Sequence, residues 1–479
     1  MASPVSILLS GTGLALVRLA AGLVRSKWIA TMFGMPGVGL AAQATQFQLV
    51  GSSAASFSTS AAMIQGAKGI YRDRAEELFR CAFFLILTGF GALTILCSAL
   101  GFGFLGEWLF GPGYGARGFA LVLFTLPFSL ASSCFMECAF FMHDRFDRYS
   151  LMSGLHSIAQ ALIFVAASWK FGMRGILLAF PLSSLLLMLL FGGDLIRLGK
   201  FNWRWFLPRW NTEIARFLAG HGLVMFVTGV GGGFLLLFAR SAMVRHSGLI
   251  DNGALQVPIA LSAYGSAIMT NFLWGRIHPH FSAGNSSESF ELSLCSFTAF
   301  VVALGTWVAA PIFVPLVYAK DFSAAIPLVN WQCLGDIFHY SFFAIAVALL
   351  ASGRITAYLM GWATYYLPYL LLLIVPGFLQ PRGFVTLHLA GSVLALTLMA
   401  GFCFRHAPFS REQTAKLLAL SLGLGVYGAA TIGLVRGSVE ARAIGAAVAV
   451  ALAFATWRFI YGEAVKEQLR LITDRLRRT

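Results

Sequence analysis

Gly11–Gln43, GTGLALVRLAAGLVRSKWIATMFGMPGVGLAAQ, decides how the chain folds. It is apolar enough for a membrane helix, a short turn and the start of a second helix, yet it carries Arg18, Arg25 and Lys27. A lone cation at the centre of a membrane helix costs about 3 kcal/mol on insertion scales, so something polar must face these groups. Arg18 and Arg25 stand seven residues apart, close to two helical turns, and project from nearly the same face. Two fixed positive charges on one side of a membrane helix describe a water-filled cavity that accepts an anion. Lys27 lies about 200° around the helix from Arg25, nearer its end, where a structural or snorkelling role is equally open.

The whole chain supports a membrane reading of that stretch. Of its 479 residues 58% are hydrophobic and 11% charged, with a mean hydropathy of +0.79. Soluble globular classes do not have this composition, whereas a multi-spanning membrane protein does. A formal charge of +15 would suggest nucleic-acid binding in a soluble protein. Here the cations fall mostly in short loops, where they orient helices, and no nucleic acid is expected. The seven cysteines lie in or near apolar segments and give no disulfide framework. Cys134 and Cys138 share a helix without a second metal-ligand pair, so they read as packing residues. MASPVSILLS lacks a basic region before its apolar run, which predicts the beginning of helix 1 rather than a cleaved signal peptide.

Apolar runs of about 18 residues or more predict roughly fourteen transmembrane helices in an all-α polytopic protein. Twelve form two pseudo-symmetric six-helix lobes, 1–196 and 213–405, joined by a cytoplasmic linker, 197–212. Two extra helices and a charged cytoplasmic tail occupy 406–479. Loops rich in Lys and Arg, such as those with Lys68, Arg72 and Arg74 or Arg197, Lys200 and Arg204, alternate with poorer ones. The positive-inside rule then places both termini in the cytoplasm. An internal duplication is visible in fragments: Arg25-Ser26 with Gly39 and Gln43 corresponds to Arg240-Ser241 with Gly253 and Gln256.

Three further groups carry chemistry. Helix 7 has His221, glycines at 229 and 231–233, then Arg240 and Arg245. The glycines mark either a hinge or tight packing, and Arg245 is placed to snorkel. Helix 2 offers Gln43 and Gln46 on one face together with recurrent serines, suited to sugar hydroxyls or to helix packing. Helix 10 places Gln332, Asp336, His339 and Tyr340 on one side, either as a proton-exchanging cluster or as a hydrogen-bonded packing lock. Glu137, Asp336 and His339 are the candidates for coupling, although Glu137, His156 and His388 are isolated in sequence and each reads first as structural. Intramembrane acids are too few to balance Arg18, Arg25, Lys27 and Arg240. No phosphate-binding loop, metal-ligand cluster or catalytic triad is present in the sequence, and the protein is expected not to be an enzyme.

LVRLAAGLVRSKWIATMFGMPGVGLAAQATQF resembles the first two helices of Wzx-type O-antigen and enterobacterial-common-antigen flippases of the MOP (MATE-like) exporter superfamily. WQCLGDIFHY resembles the helix 10 segment of the same family. The resemblance implies a flippase of the bacterial inner membrane that moves an undecaprenyl-pyrophosphate-linked oligosaccharide to the periplasmic leaflet by alternating access, in cell-surface polysaccharide biosynthesis. It implies pyrophosphate contacts at Arg18, Arg25, Lys27 and Arg240, and Asp336 as the helix 10 acid. Gln43, Gln46, Gln256 and Asn271 are the expected sugar contacts. No cofactor is expected beyond coupling to H+ or Na+. The expected partners are the lipid-linked glycan, membrane lipid, a glycan polymerase and a chain-length regulator. A count of fourteen helices is similar to that of MurJ-type lipid II flippases, which stand as one alternative; a MATE-type small-molecule antiporter is the other.

Overall fold

The turn anticipated in the opening stretch falls at Gly34, which takes φ 61° and ψ −155° inside an otherwise continuous helix. That left-handed backbone suits glycine alone, and Pro36 two residues on lacks the N–H that would bond back across the break. Helix α1 (Pro4–Ala55) is therefore two arms, the first carrying the cations and the second the glutamines. The computed structural model describes residues 4–273, 289–405, 410–435 and 437–476.

The described chain is all helical. After α1 come α2 (Ser60–Lys68), α3 (Ala75–Leu100), α4 (Phe102–Phe110), α5 (Gly115–Leu123), α6 (Thr125–Ser129), α7 (Glu137–Met142), α8 (Phe146–Phe171) and α9 (Met173–Arg197). Helices α10 (Thr212–Met225), α11 (Gly231–Ser247), α12 (Leu249–Phe272) and α13 (Ser289–Val317) follow. The last are α14 (Ile326–Ala351), α15 (Ile355–Tyr366), α16 (Leu371–Ile374), α17 (Pro381–Arg405), α18 (Arg411–Leu434) and α19 (Val439–Leu476). Ten stretches among the described residues are long and apolar enough to cross a membrane. The two arms of α1, helix α12 and the α15–α16 pair also have membrane-crossing length at about 1.5 Å per residue, in keeping with about 14 spans.

Packing divides the chain into two units, the first Met1–Gly253 with Val317–Ala319, the second Ala254–Leu316 with Lys320–Thr479. In the first, the cationic arm of α1 lies along α8, and α8 and α9 form a hairpin. Arg148 on α8 closes this hairpin near one end, donating to both carboxylate oxygens of the buried Asp194 on α9 at 2.7 and 3.3 Å. Such a forked pair is strong because both bonds are charge-assisted. Helices α10 and α11 belong to the same unit.

The second unit is built around α14, whose Ile337, Phe342, Val347 and Leu349 are fully buried. Helices α15, α17 and α18 surround it. Gly425 and Gly428 let α18 press against Phe338 and Ile337 of α14. Helix α19 is tied in by Trp457, which stacks on Phe290 and Phe297 of α13 and donates its Nε1 to Ser293 at 2.9 Å.

Candidate functional site

Arg18 and Arg25 do share one face of the first arm of α1, and that face looks onto α8. Arg18 donates from Nη2 to the hydroxyl of Tyr149 at 3.3 Å and to that of Ser153. The carboxyl of Glu137 lies near both Tyr149 and Arg18. Arg25 lies over the ring of Phe164, 5.1 Å from its centroid, a cation–π contact. His156 sits within the field of both guanidiniums and bonds the Ser183 carbonyl at 3.0 Å. Further along, Trp28 donates to Ser168 at 2.9 Å. Partner numbers rise together along α1 and α8, so the two helices run parallel. Arg18 and Lys27 are exposed and Arg25 is half-buried. Glu137, which had no visible partner in sequence, starts α7 where a π-helical turn, Leu130–Met136, ends. Such turns shift side chains around the helix axis and recur at functional sites.

A second group joins the glutamine arm of α1 to α11. Gln43 is fully buried and donates to Ser241 at 2.6 Å, while its Oε1 has no hydrogen-bond partner among the described residues. Gln46 donates to the Gly233 carbonyl at 3.3 Å. Arg240, beside Ser241, is 4% exposed. The two readings of the glycine cluster divide by residue. Gly233 packs so close that a methyl group there would meet Val50 at 2.9 Å, whereas Gly229 and Gly231 face open space. Between α10 and α11 the helix winds as a π turn over Phe226–Val230, an interruption of the kind that permits bending. Arg245 is exposed in the last turn of α11, where a cation complements the helix dipole. Gln256, half-buried on α12, falls in the second unit. The side chains of His221 and Asn271 lie outside the described residues.

The third group is in the second unit, and it corrects two readings of the sequence. The partner of Asp336 is His388 of α17, not His339. His388 Nε2 lies 2.9 Å from Asp336 Oδ1, and Gln332 donates to the same oxygen at 3.0 Å. Tyr365 of α15 bonds His388 Nδ1 at 2.8 Å and lies 3.4 Å from the hydroxyl of Tyr369. His388 is thus the middle of a buried chain rather than isolated. The cause is Gly335: any side chain there would run into the His388 ring, so a glycine beside the acid lets the facing helix come flush. His339 instead packs among rings, 4.8 Å from Tyr365 and 5.4 Å from His388, with Nδ1 lacking a hydrogen-bond partner among the described residues. Tyr340 is buried on α14.

With His388 neutral, its Nε2–H donates to Asp336 and its Nδ1 accepts from Tyr365. Protonating the ring turns Nδ1 into a donor and forces the Tyr365 hydroxyl to rotate toward Tyr369. Helices α14, α15 and α17 share one buried hydrogen-bond network.

No protein-family model matches the chain, and no curated protein matches it in sequence. Among solved structures, the lipid II flippase MurJ in an inward closed conformation matches with a TM-score of 0.61 at 13% identity, over 96% of this chain and 100% of that one. An inward-facing multidrug resistance MATE family transporter of the MOP superfamily matches with a TM-score of 0.57 at 13% identity, over 82% of this chain and 100% of that one. The chain therefore has the fold of MOP-superfamily transporters. Within that fold it is similar to both MurJ and MATE proteins, and neither likeness singles out the Wzx-type branch.

Proposed function

We propose that the protein is a flippase for an undecaprenyl-pyrophosphate-linked oligosaccharide. Arg18, Arg25 and Arg240, with Lys27 at the edge, bind the diphosphate, and Gln43 and Gln46 meet the sugars. Gln256 and Asn271 on α12 are proposed as further sugar contacts. The observation that supports this reading is that Arg18 and Arg25 project from one face of the first arm of α1 onto α8, while Arg240 is buried on α11 of the same packing unit. A doubly charged anion is recognised by guanidinium groups through charge-assisted bonds; a cationic drug is not. On this reading the protein sits in a bacterial inner membrane with cytoplasmic termini, and its product passes to a glycan polymerase governed by a chain-length regulator.

Transport is proposed to be coupled to protonation of the Asp336–His388–Tyr365 chain, with Glu137 as a second proton acceptor. Release of the tightly held diphosphate requires a change of state, and this network gives one. The likeness to MurJ over 96% of the chain favours a second substrate, lipid II. Proteoliposomes carrying the purified protein distinguish the readings. Undecaprenyl-pyrophosphate-linked O-antigen unit, lipid II and a small organic cation are offered in turn; faster translocation of either lipid than of the cation supports a flippase. Efflux of the cation alone refutes it.

A further inference from the structure

A cavity of about 450 Å³ lies in the first unit at the turns of two helical hairpins, lined by Glu107, Tyr114, Arg117 and Arg174. The α4–α5 hairpin turns through Gly111 and Gly113, both at left-handed φ, and closes because Gly106 touches the backbone of Gly115. The α8–α9 hairpin turns at Gly172 and closes where Gly175 meets the Ala167 carbonyl. Gly118 then seats against Leu177, joining the hairpins.

This packing puts Arg117 in the first turn of α5 and Arg174 in the first turn of α9, with no acidic residue in either turn. A cation at the positive end of a helix dipole is unfavourable, and here it occurs twice beside one cavity. Arg74, Arg80, Arg145 and Arg148 are ion-paired, whereas Arg117 and Arg174 have no ion-pair partner among the described residues. Glu107 adds one carboxylate to the same wall. Beside the cavity, Trp169 is 76% and Phe171 51% exposed, and Lys170 lies against the Phe171 ring. Exposed aromatics next to a lysine mark the depth of lipid headgroups.

The geometry points to a binding site for a phosphoethanolamine group, its phosphate held by Arg117 and Arg174 and its ammonium by Glu107. The chemistry is shared by phosphatidylethanolamine of the bilayer and by the soluble compound. Neither the coupling network nor the proposed substrate enters this assignment.

The full chain, purified in detergent, is titrated by native mass spectrometry with phosphatidylethanolamine, phosphatidylglycerol and soluble phosphoethanolamine. The wild type is expected to prefer phosphatidylethanolamine to phosphatidylglycerol. Arg117→Gln/Arg174→Gln should lose about tenfold or more in affinity, as charge-assisted bonds are removed, while Arg117→Lys/Arg174→Lys keeps most of it. Glu107→Gln should shift the preference toward phosphatidylglycerol. Binding of the lipid alone places the source in the bilayer, and binding of the soluble compound alone makes it a free ligand; both support the site. Unchanged affinity in a monodisperse Gln variant of wild-type melting temperature would overturn it, as would a wild type that binds neither form.

Discussion

Gly39 and Gly253 face one another reciprocally. A methyl group on Gly39 would run into the carbonyl oxygen of Leu249, four residues before Gly253, and one on Gly253 would run into that of Met35, four residues before Gly39. Asn252 adds a bond to the Gly39 carbonyl at 2.8 Å.

Because the opposing atoms are backbone, they cannot swing aside. Gly39→Ala and Gly253→Ala should each cost about 1–3 kcal/mol, the range for overpacking a tight contact. Gly229→Ala, which faces open space, should cost nothing by this route. Thermal unfolding in detergent checks the contrast, and equal melting temperatures for all three variants would remove the reciprocal contact from the account.

The buried pair in the second unit gives a graded series. His388→Ala removes one of the two donors to Asp336 and the buried partner of the Tyr365 hydroxyl, and should destabilise by about 1–3 kcal/mol, the cost of leaving a buried polar group unsatisfied. His388→Gln restores a donor and should recover part of that loss. Asp336→Asn should fold, yet transport should no longer respond to an imposed proton gradient. A response equal to the wild type's would take the network out of coupling.

Outside the spans, Lys68 bonds Asp144 at 2.6 Å and holds its carboxyl below the usual carboxylate range, by hydrogen bond first and charge second. A depressed carboxyl stabilises the fold above its ordinary unfolded range, and that contribution is lost as pH falls through the folded value. Asp144 also has φ 53°, which Asn tolerates, so Asp144→Asn isolates the charge. The wild type's small advantage over this variant, read as melting temperature, should be present near neutral pH and vanish under acid. An advantage that persisted in acid would contradict the pairing.

What the sequence revealed and what it hid follow from the range of each interaction. Helical periodicity is local, so the common face of Arg18 and Arg25 and the Gly34–Pro36 break could be read directly. Their partners could not: Tyr149, Ser153 and Phe164 lie far along the chain, and nothing in α8 marks which helix it accompanies. Asp336 was visible as an acid in an apolar run, but its nearest imidazole in sequence, His339, is not the one it bonds. The usable signal was Gly335, since a glycine next to a buried acid announces a facing helix at close range. Gly39 and Gly253 stood out in sequence only as matching positions of two similar stretches, and the folded chain shows that they touch.

The arginines of α1 and α11 are the proposed diphosphate contacts on which flippase activity depends. The most direct test is translocation of an undecaprenyl-pyrophosphate-linked glycan by reconstituted Arg18→Ala and Arg240→Ala proteins, each verified as folded and inserted, beside the corresponding Lys variants. Loss of translocation in both Ala proteins with partial recovery by Lys is the predicted result; wild-type translocation by either Ala protein would contradict it.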